Sequence, residues 1–230
     1  MVKLKLFRDK KNISLIIGCD GAGSSGKSTG SKLISKKYKL NFLSSGLLYR
    51  YASYLIIKYK PKKKIPFLKK KFKNLNYKYL NRLNLHTQEI DDCASIIAKQ
   101  KKVRFILKVF QKKFAKKYKN ICIEGRDICS EILKNNPRYD LAFFFKCKLT
   151  TAAYRRWKEL RTKDNKISLR DVKKSLKTRN ELDVKRRFSP LIRVKDSILI
   201  RTDILNKRAM VVRMSREIEK KLKEKYGRNL

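Results

Sequence analysis

An α/β fold, with a central parallel sheet flanked by helices, follows from three features of the chain. Apolar runs of strand length alternate with segments of helical periodicity along almost its whole length. Five of its eight glycines (Gly18, Gly21, Gly23, Gly26 and Gly30) fall between the first apolar run and the first helical segment or just inside them. The segment itself, Gly21-Ala-Gly-Ser-Ser-Gly-Lys27-Ser28, has the glycine spacing of a tight strand-to-helix turn.

The elements can be justified in order. Ile13–Ile17 is a short apolar run and the first predicted strand; Lys27–Tyr38 has helical periodicity. A short strand, Asn41–Leu43, leads through Ser44-Ser45-Gly46 into a helix over Leu47–Tyr59. Pro61 and Pro66 open a lysine-rich, poorly periodic stretch that runs to about Leu85 and reads as an inserted segment or small subdomain rather than core. A helix resumes near Gln88, breaks around Lys101 and continues from Val103 to about Tyr118. Ile121–Ile123 is a buried strand ending at Glu124-Gly125-Arg126-Asp127, and Leu141–Phe145 is the next central strand. Helices over Thr150–Leu160 and Leu169–Asp183 flank a polar loop, Arg161–Ser168. Ser197–Arg201 is the last strand and Asn206–Lys225 the closing helix. At 230 residues and 42% apolar content, residues 1–230 are expected to form a single domain carrying an insert at about residues 61–98.

The pattern G-x-x-x-x-G-K-[ST] between a strand and a helix is a phosphate-binding loop. Its N–H groups curl inward around a polyphosphate, which glycine permits by adopting left-handed torsions and by allowing close approach. Gly21, Ala22, Gly23, Ser24, Ser25, Gly26, Lys27, Ser28 and Thr29 are therefore the expected ATP-binding residues. Lys27 would reach the β- and γ-phosphates, the Ser28 hydroxyl would ligate Mg2+, and the helix N-terminus would add its dipole.

The net charge of +44 admits two readings. Such a chain binds polyanions at low salt almost regardless of design. Yet its lysines run everywhere, while residues encoded by A+T-rich codons abound and alanine, glycine and proline are scarce, which is the mark of compositional drift. No apolar run is long enough to span a bilayer, and the first eleven residues lack the apolar core of a signal peptide. Five scattered cysteines without a C-x-x-C pair argue against a zinc site and for a reducing, cytoplasmic setting.

Three further clusters are expected at the carboxyl ends of strands, where open α/β sheets bind ligands. Ser45-Gly46-Leu-Leu-Tyr49-Arg50 offers a guanidinium suited to bidentate binding of an acceptor's phosphate. Glu124-Gly125-Arg126-Asp127 offers acidic groups of the kind that attend Mg2+. Arg155 and Arg156, followed by Arg179, Asp183 and Arg186, supply charge that can close over a triphosphate.

Taken in order, these residues resemble the bacterial cytidylate kinases, within the nucleoside monophosphate kinase group of P-loop proteins. Gly21–Thr29 resembles the family's G-P-S-G-S-G-K-S-T, and Ser45–Arg50 its T-G-x-x-Y-R. Leu85-His86-Thr-Gln-Glu89 resembles its L-R-T-x-E turn, and Val103-Arg104 with Gln111 its V-R…Q helix. Glu124–Asp127 is similar to D-G-R-D, and Arg179…Asp183…Arg186…Ser189-Pro190-Leu191 to R-D-x-x-D-x-x-R…A-P-L. The resemblance implies a P-loop kinase with a monophosphate-binding insert and a lid at about residues 155–170. It implies transfer of the γ-phosphoryl group of ATP, with Mg2+, to CMP or dCMP. Lys27, Arg155 and Arg156 would be catalytic; Ser45 and Arg50, with Arg155 or Arg156, would hold the acceptor's phosphate; Arg126 and Arg186 would read the cytosine edge. Asp183 would meet the ribose and Arg179 the phosphates. The expected partners are these small molecules, bound by a monomer, with no membrane and no specific nucleic acid. The departures are Ser44 in place of an aspartate, Ala22-Gly23 in the loop, Cys129-Ser130 after Gly-Arg-Asp-Ile, and Lys146 after the fourth strand. A kinase for UMP or dTMP, and a nucleic-acid-associated P-loop ATPase, are the rival expectations.

Overall fold

Strands buried on both faces read as unbroken apolar runs, and the three longest such runs form the middle of the sheet. In the computed structural model, which describes residues 13–162 and 167–227, these are β1 (Leu15–Gly21), β3 (Asn120–Gly125) and β4 (Leu141–Lys146). With β2 (Asn41–Ser44) and β5 (Ile198–Arg201) they make a five-stranded sheet in the order β2-β3-β1-β4-β5. β1 runs parallel to β3, with Ile17 opposite Cys122, and parallel to β4, with Cys19 opposite Phe143; β4 and β5 are also parallel. β1 is thus flanked by strands that the chain reaches by winding in opposite directions, the arrangement that opens a crevice at strand carboxyl ends.

The chain divides into two compact units. One takes in the chain up to Phe42 and again from Lys119; the other is Leu43–Tyr118. In the first, α1 (Lys27–Lys37), α6 (Leu149–Arg161), α7 (Leu169–Lys185) and α8 (Lys207–Tyr226) accompany the sheet. Met210, Met214, Ile218 and Leu222 recur every four residues along α8 and join Leu15, Ile17, Ile34, Phe143, Phe145 and Ile200 in the main core. α1 packs close to β4 because Gly30 has no side chain: a Cβ there would stand 2.8 Å from the Phe145 ring. α6 and α7 share a smaller apolar cluster of Ala153, Val172 and Leu176, closed by the Trp157 Nε1–H donating to the Ile167 carbonyl at 3.0 Å. Residues 1–11 and the middle of the expected lid, 163–166, lie outside the described residues.

The second unit comprises α2 (Ser45–Tyr59), α3 (Lys64–Lys73), α4 (Gln88–Ile97) and α5 (Lys101–Lys117). α2 begins two residues before the expected start because the Ser44 hydroxyl accepts from the Leu47 N–H as an N-cap. α3 corrects the reading of residues 61–85 as poorly periodic, since a regular helix lies within them. Ile65, Leu68 and Phe72 make a helical stripe that the surrounding lysines obscure, and Pro66 lies in the first turn, where an intrahelical N–H is not required. Leu68, Phe72, Leu80 and Leu85 are all buried, and Phe72 meets Tyr51 and Phe110 edge-on at 5.7 and 5.9 Å. Cys19, Cys122 and Cys129 are buried thiols, as small core hydrophobes should be, whereas Cys147 is half-buried. No helix among the described residues is long and apolar enough to cross a membrane.

Leu68→Ala removes a fully buried side chain and should cost about 2–5 kcal/mol. Native-state hydrogen exchange across Leu43–Tyr118 measures it. A loss below about 1 kcal/mol would show that α3 is not core-packed.

Candidate active site

The loop between β1 and α1 takes its shape from backbone torsions and one neighbouring residue. Gly26 has φ +78°, in the left-handed region, and a Cβ on it would meet Thr202 Cγ2 at 3.2 Å. Thr202, just after β5, donates its hydroxyl to the Ser25 carbonyl at 2.9 Å and so holds the loop from below. Ser24 also adopts a positive φ, 53°. From the other side, the Gly23 N–H donates to Asn180 Oδ1 at 2.9 Å, seating α7 directly on the loop.

Lys27 opens α1 and is buried. Its ammonium donates to the Ala22 carbonyl at 3.2 Å and lies 3.9 Å from Glu124 at the end of β3. Burial pushes the Lys27 pKa down to about 7; Arg126 and Arg179 add to the fall, while Glu124 and Asp183 oppose it. Next to Glu124, the Arg126 guanidinium donates to Asp183 at 2.7 Å. Asp183 also accepts from Arg186 at 3.2 Å, and Arg186 lies 3.8 Å from Asp127. Burial alone would raise the Asp183 pKa, but Arg126, Arg186 and Arg179 together hold it below the usual carboxylate range. The predicted residues Lys27, Arg126, Asp183 and Arg186 thus stand in one network, with Arg179 close enough to act on it electrostatically.

The other expected residues sit as follows. Arg155 of α6 is bound to Thr202, donating to its carbonyl at 2.6 Å and to its hydroxyl at 3.3 Å, with a longer contact to the Cys147 sulfur. Arg156 lies 3.3 Å from Glu159, one turn further along α6. Ser45 and Arg50 belong to the Leu43–Tyr118 unit, where Arg50 Nε donates to Asp91 of α4 at 2.6 Å.

Three residues of the site escaped the sequence reading. Asp20, one residue before the loop, is fully buried; its two carboxylate oxygens accept from the Ile128 and Cys129 N–H groups, each at 2.8 Å. It thereby fixes the start of the π-helical turn Ile128–Ile132 that follows Glu124–Asp127. Burial raises its pKa to about 6, against the lowering effect of the two N–H donors. An aspartate closing an apolar strand was the available signal. Asn180 and Thr202 carried none, because each acts on the loop from more than 150 residues away.

Among the described residues, no group of three or more His, Cys, Asp or Glu could hold a metal ion alone. Mg2+ that arrives on a triphosphate asks for less: it keeps waters and phosphate oxygens and takes one or two protein oxygens. The half-buried Ser28 hydroxyl and the Glu124 carboxylate are hard oxygen donors of that kind, whereas both Asp20 oxygens are occupied by backbone N–H groups.

The cytidylate kinase family model matches residues 17–220. A cytidylate kinase of Clostridioides difficile (strain 630) is 31% identical over 201 residues, covering 82% of this chain and 91% of that protein. A bifunctional pantoate ligase/cytidylate kinase of Prochlorococcus marinus (strain MIT 9312) is 36% identical over 207 residues, covering 83% of this chain. The chain spans only 40% of the length of that bifunctional relative. Among solved structures, an uncharacterized protein of Eubacterium ventriosum superposes with a TM-score of 0.55 at 15% identity, covering 89% of this chain and 98% of the other. A Thermus thermophilus protein gives 0.52 at 14% identity, covering 92% and 99%. At those identities the likeness concerns the fold.

Triphosphate oxygens beside Lys27 favour its charged form, so ATP binding at about pH 8, above the Lys27 pKa of about 7, should take up a proton. Calorimetry in buffers of different ionisation heat reads that uptake. Lys27→Met should abolish it, and a binding heat independent of buffer in the parent protein would refute the assignment.

Proposed function

The chain belongs to the cytidylate kinase family, and we propose that it transfers the γ-phosphoryl group of ATP to CMP or dCMP. The observation that carries this reading is the Arg126–Asp183–Arg186 network beside the loop lysine. An ATPase needs the loop. It does not need two guanidiniums locked around one carboxylate next to it, an array suited to hydrogen-bonding a polar base edge and a ribose.

In this reading Gly21–Thr29 hold the triphosphate, with Lys27 on the β- and γ-phosphates. Ser45 and Arg50 take the acceptor's phosphate, and Asp91 orients the Arg50 guanidinium for it. Arg126 and Arg186 face the cytosine edge, Asp183 the ribose, and Arg179 the phosphates. The acceptor is already an anionic phosphate, so no general base is required and catalysis consists of in-line positioning and charge neutralisation. Mg2+, held by Ser28 with Glu124 nearby, would supply further neutralisation between the phosphate oxygens. Arg155 and Arg156 at the start of the 155–170 lid would offset charge on the moving phosphoryl group, and closure of the lid would exclude water and suppress ATP hydrolysis. Residues 61–98 would serve as the insert on the monophosphate side, and the enzyme would work as a monomer in the cytoplasm.

The test is ADP release from ATP and Mg2+ with CMP, dCMP, UMP, AMP and dTMP in turn. CMP and dCMP should stimulate strongly, UMP less, and AMP and dTMP little. Lys27→Ala should lose about a hundredfold or more in turnover. Stimulation by AMP or dTMP alone would remove the cytidylate assignment and leave a kinase for another monophosphate.

A further inference from the structure

The Leu43–Tyr118 unit holds a cavity of about 620 Å3 whose wall is mostly from the 61–98 insert and includes none of the individual catalytic, ATP-binding or acceptor-binding residues named above. Its walls are Tyr51 from α2, Lys70 and Lys71 from the last turns of α3, and Lys78, Tyr79 and Arg82 from the short helical turn Tyr77–Arg82. Arg50 turns toward α4, through Asp91, while its neighbour Tyr51 packs on Phe72 of α3. The cavity and the acceptor residues therefore occupy different flanks of α2.

The charge of this unit is one-sided in a way that the rest of the chain is not. Leu43–Tyr118 carries 21 of the 63 lysines and arginines but only three of the 19 acids, Glu89, Asp91 and Asp92, all on α4. From Leu43 to Gln88 there are twelve cations and no acid at all. Codon bias raises lysine everywhere; it does not clear carboxylates from one third of a chain and leave sixteen in the remainder. Aromatic faces accompany the cations. Tyr79 is 48% exposed at the cavity, and Tyr59, 50% exposed, has the Lys71 ammonium 5.0 Å from its ring centre. Exposed rings for stacking, set among cations with no competing carboxylate, are what holds an unpaired nucleotide strand: bases stack and phosphates are neutralised.

We infer that this cavity and its rim bind single-stranded nucleic acid, with Tyr79 as the stacking face and Lys70, Lys71, Lys78 and Arg82 on the phosphates. The cavity shares the 61–98 insert with the proposed monophosphate side, but it is lined by none of the residues proposed to touch ATP or the acceptor.

The experiment uses the full-length protein and a fluorescein-labelled oligouridylate of about ten nucleotides, a length within the usual range of single-strand sites. Binding is followed by anisotropy over a range of salt, with heparin as a base-free polyanion and polyglutamate as an acidic polypeptide. Lys70→Gln/Lys71→Gln/Lys78→Gln should weaken oligouridylate binding at least about tenfold and lower the slope of log affinity against log salt by about 2. A control with the same change in charge, Lys195→Gln/Lys220→Gln/Lys223→Gln, should weaken it by no more than about twofold. Tyr79→Ala should weaken oligouridylate binding about 5- to 100-fold and leave heparin binding within about twofold, because only a base can stack. Circular dichroism checks that each variant is folded. Equal weakening by the two lysine triples would overturn the site in favour of diffuse charge. A Tyr79→Ala variant that binds oligouridylate like the parent would remove the stacking face, and polyglutamate binding as tight as oligouridylate would reassign the surface to an acidic protein.

Discussion

An ammonium taken out of water must be compensated nearby or give up its proton. Lys27 is buried at the start of α1, and the compensation comes from other elements. Glu124 lies at the end of β3 and Asp183 on α7. The two carboxylates only partly offset burial and the adjacent Arg126 and Arg179, which is why the lysine titrates near neutrality. Most of the site follows from this one constraint. Arg126 and Asp127 near a strand terminus, with Asp183 and Arg186 one helical turn apart, build a chain of opposite charges beside the Lys27–Glu124 pair.

Such an array is only as well placed as its backbone. Asp20 ties the end of β1 to the turn after Asp127 through two hydrogen bonds, at the cost of burying a carboxylate whose pKa rises to about 6. Thr202 joins the loop carbonyl of Ser25 to the Arg155 guanidinium, and Asn180 joins α7 to Gly23. Each of these three residues acts by fixing backbone or a neighbouring side chain around the β1–α1 loop. α6 and α7, by contrast, share only a small apolar cluster, the kind of limited packing from which moving elements are drawn.

Element order, the parallel α/β class and the glycine-rich turn between β1 and α1 were legible in the sequence because each is a local matter. Periodicity distinguishes strand from helix, and glycine spacing marks a loop that must bring its N–H groups inward. Local signals failed where one pattern lay over another: the apolar stripe of α3 was hidden among lysines whose stems and heads conceal a period of 3.6. The nine loop residues, like Arg126, Asp183 and Arg186, could be named as candidates. Their joining could not be read. Arg126 and Asp183 are 57 residues apart, Asp20 and Ile128 108, and Ser25 and Thr202 177. By itself the sequence determined which segments form strands and helices and where the glycine-rich strand-to-helix turn lies, because φ/ψ preference and side-chain period act over a few neighbouring residues. Only the tertiary structure decided the strand order, the partner of each buried charge and the side-chain props under the loop, because those depend on contacts between residues that sequence distance keeps apart.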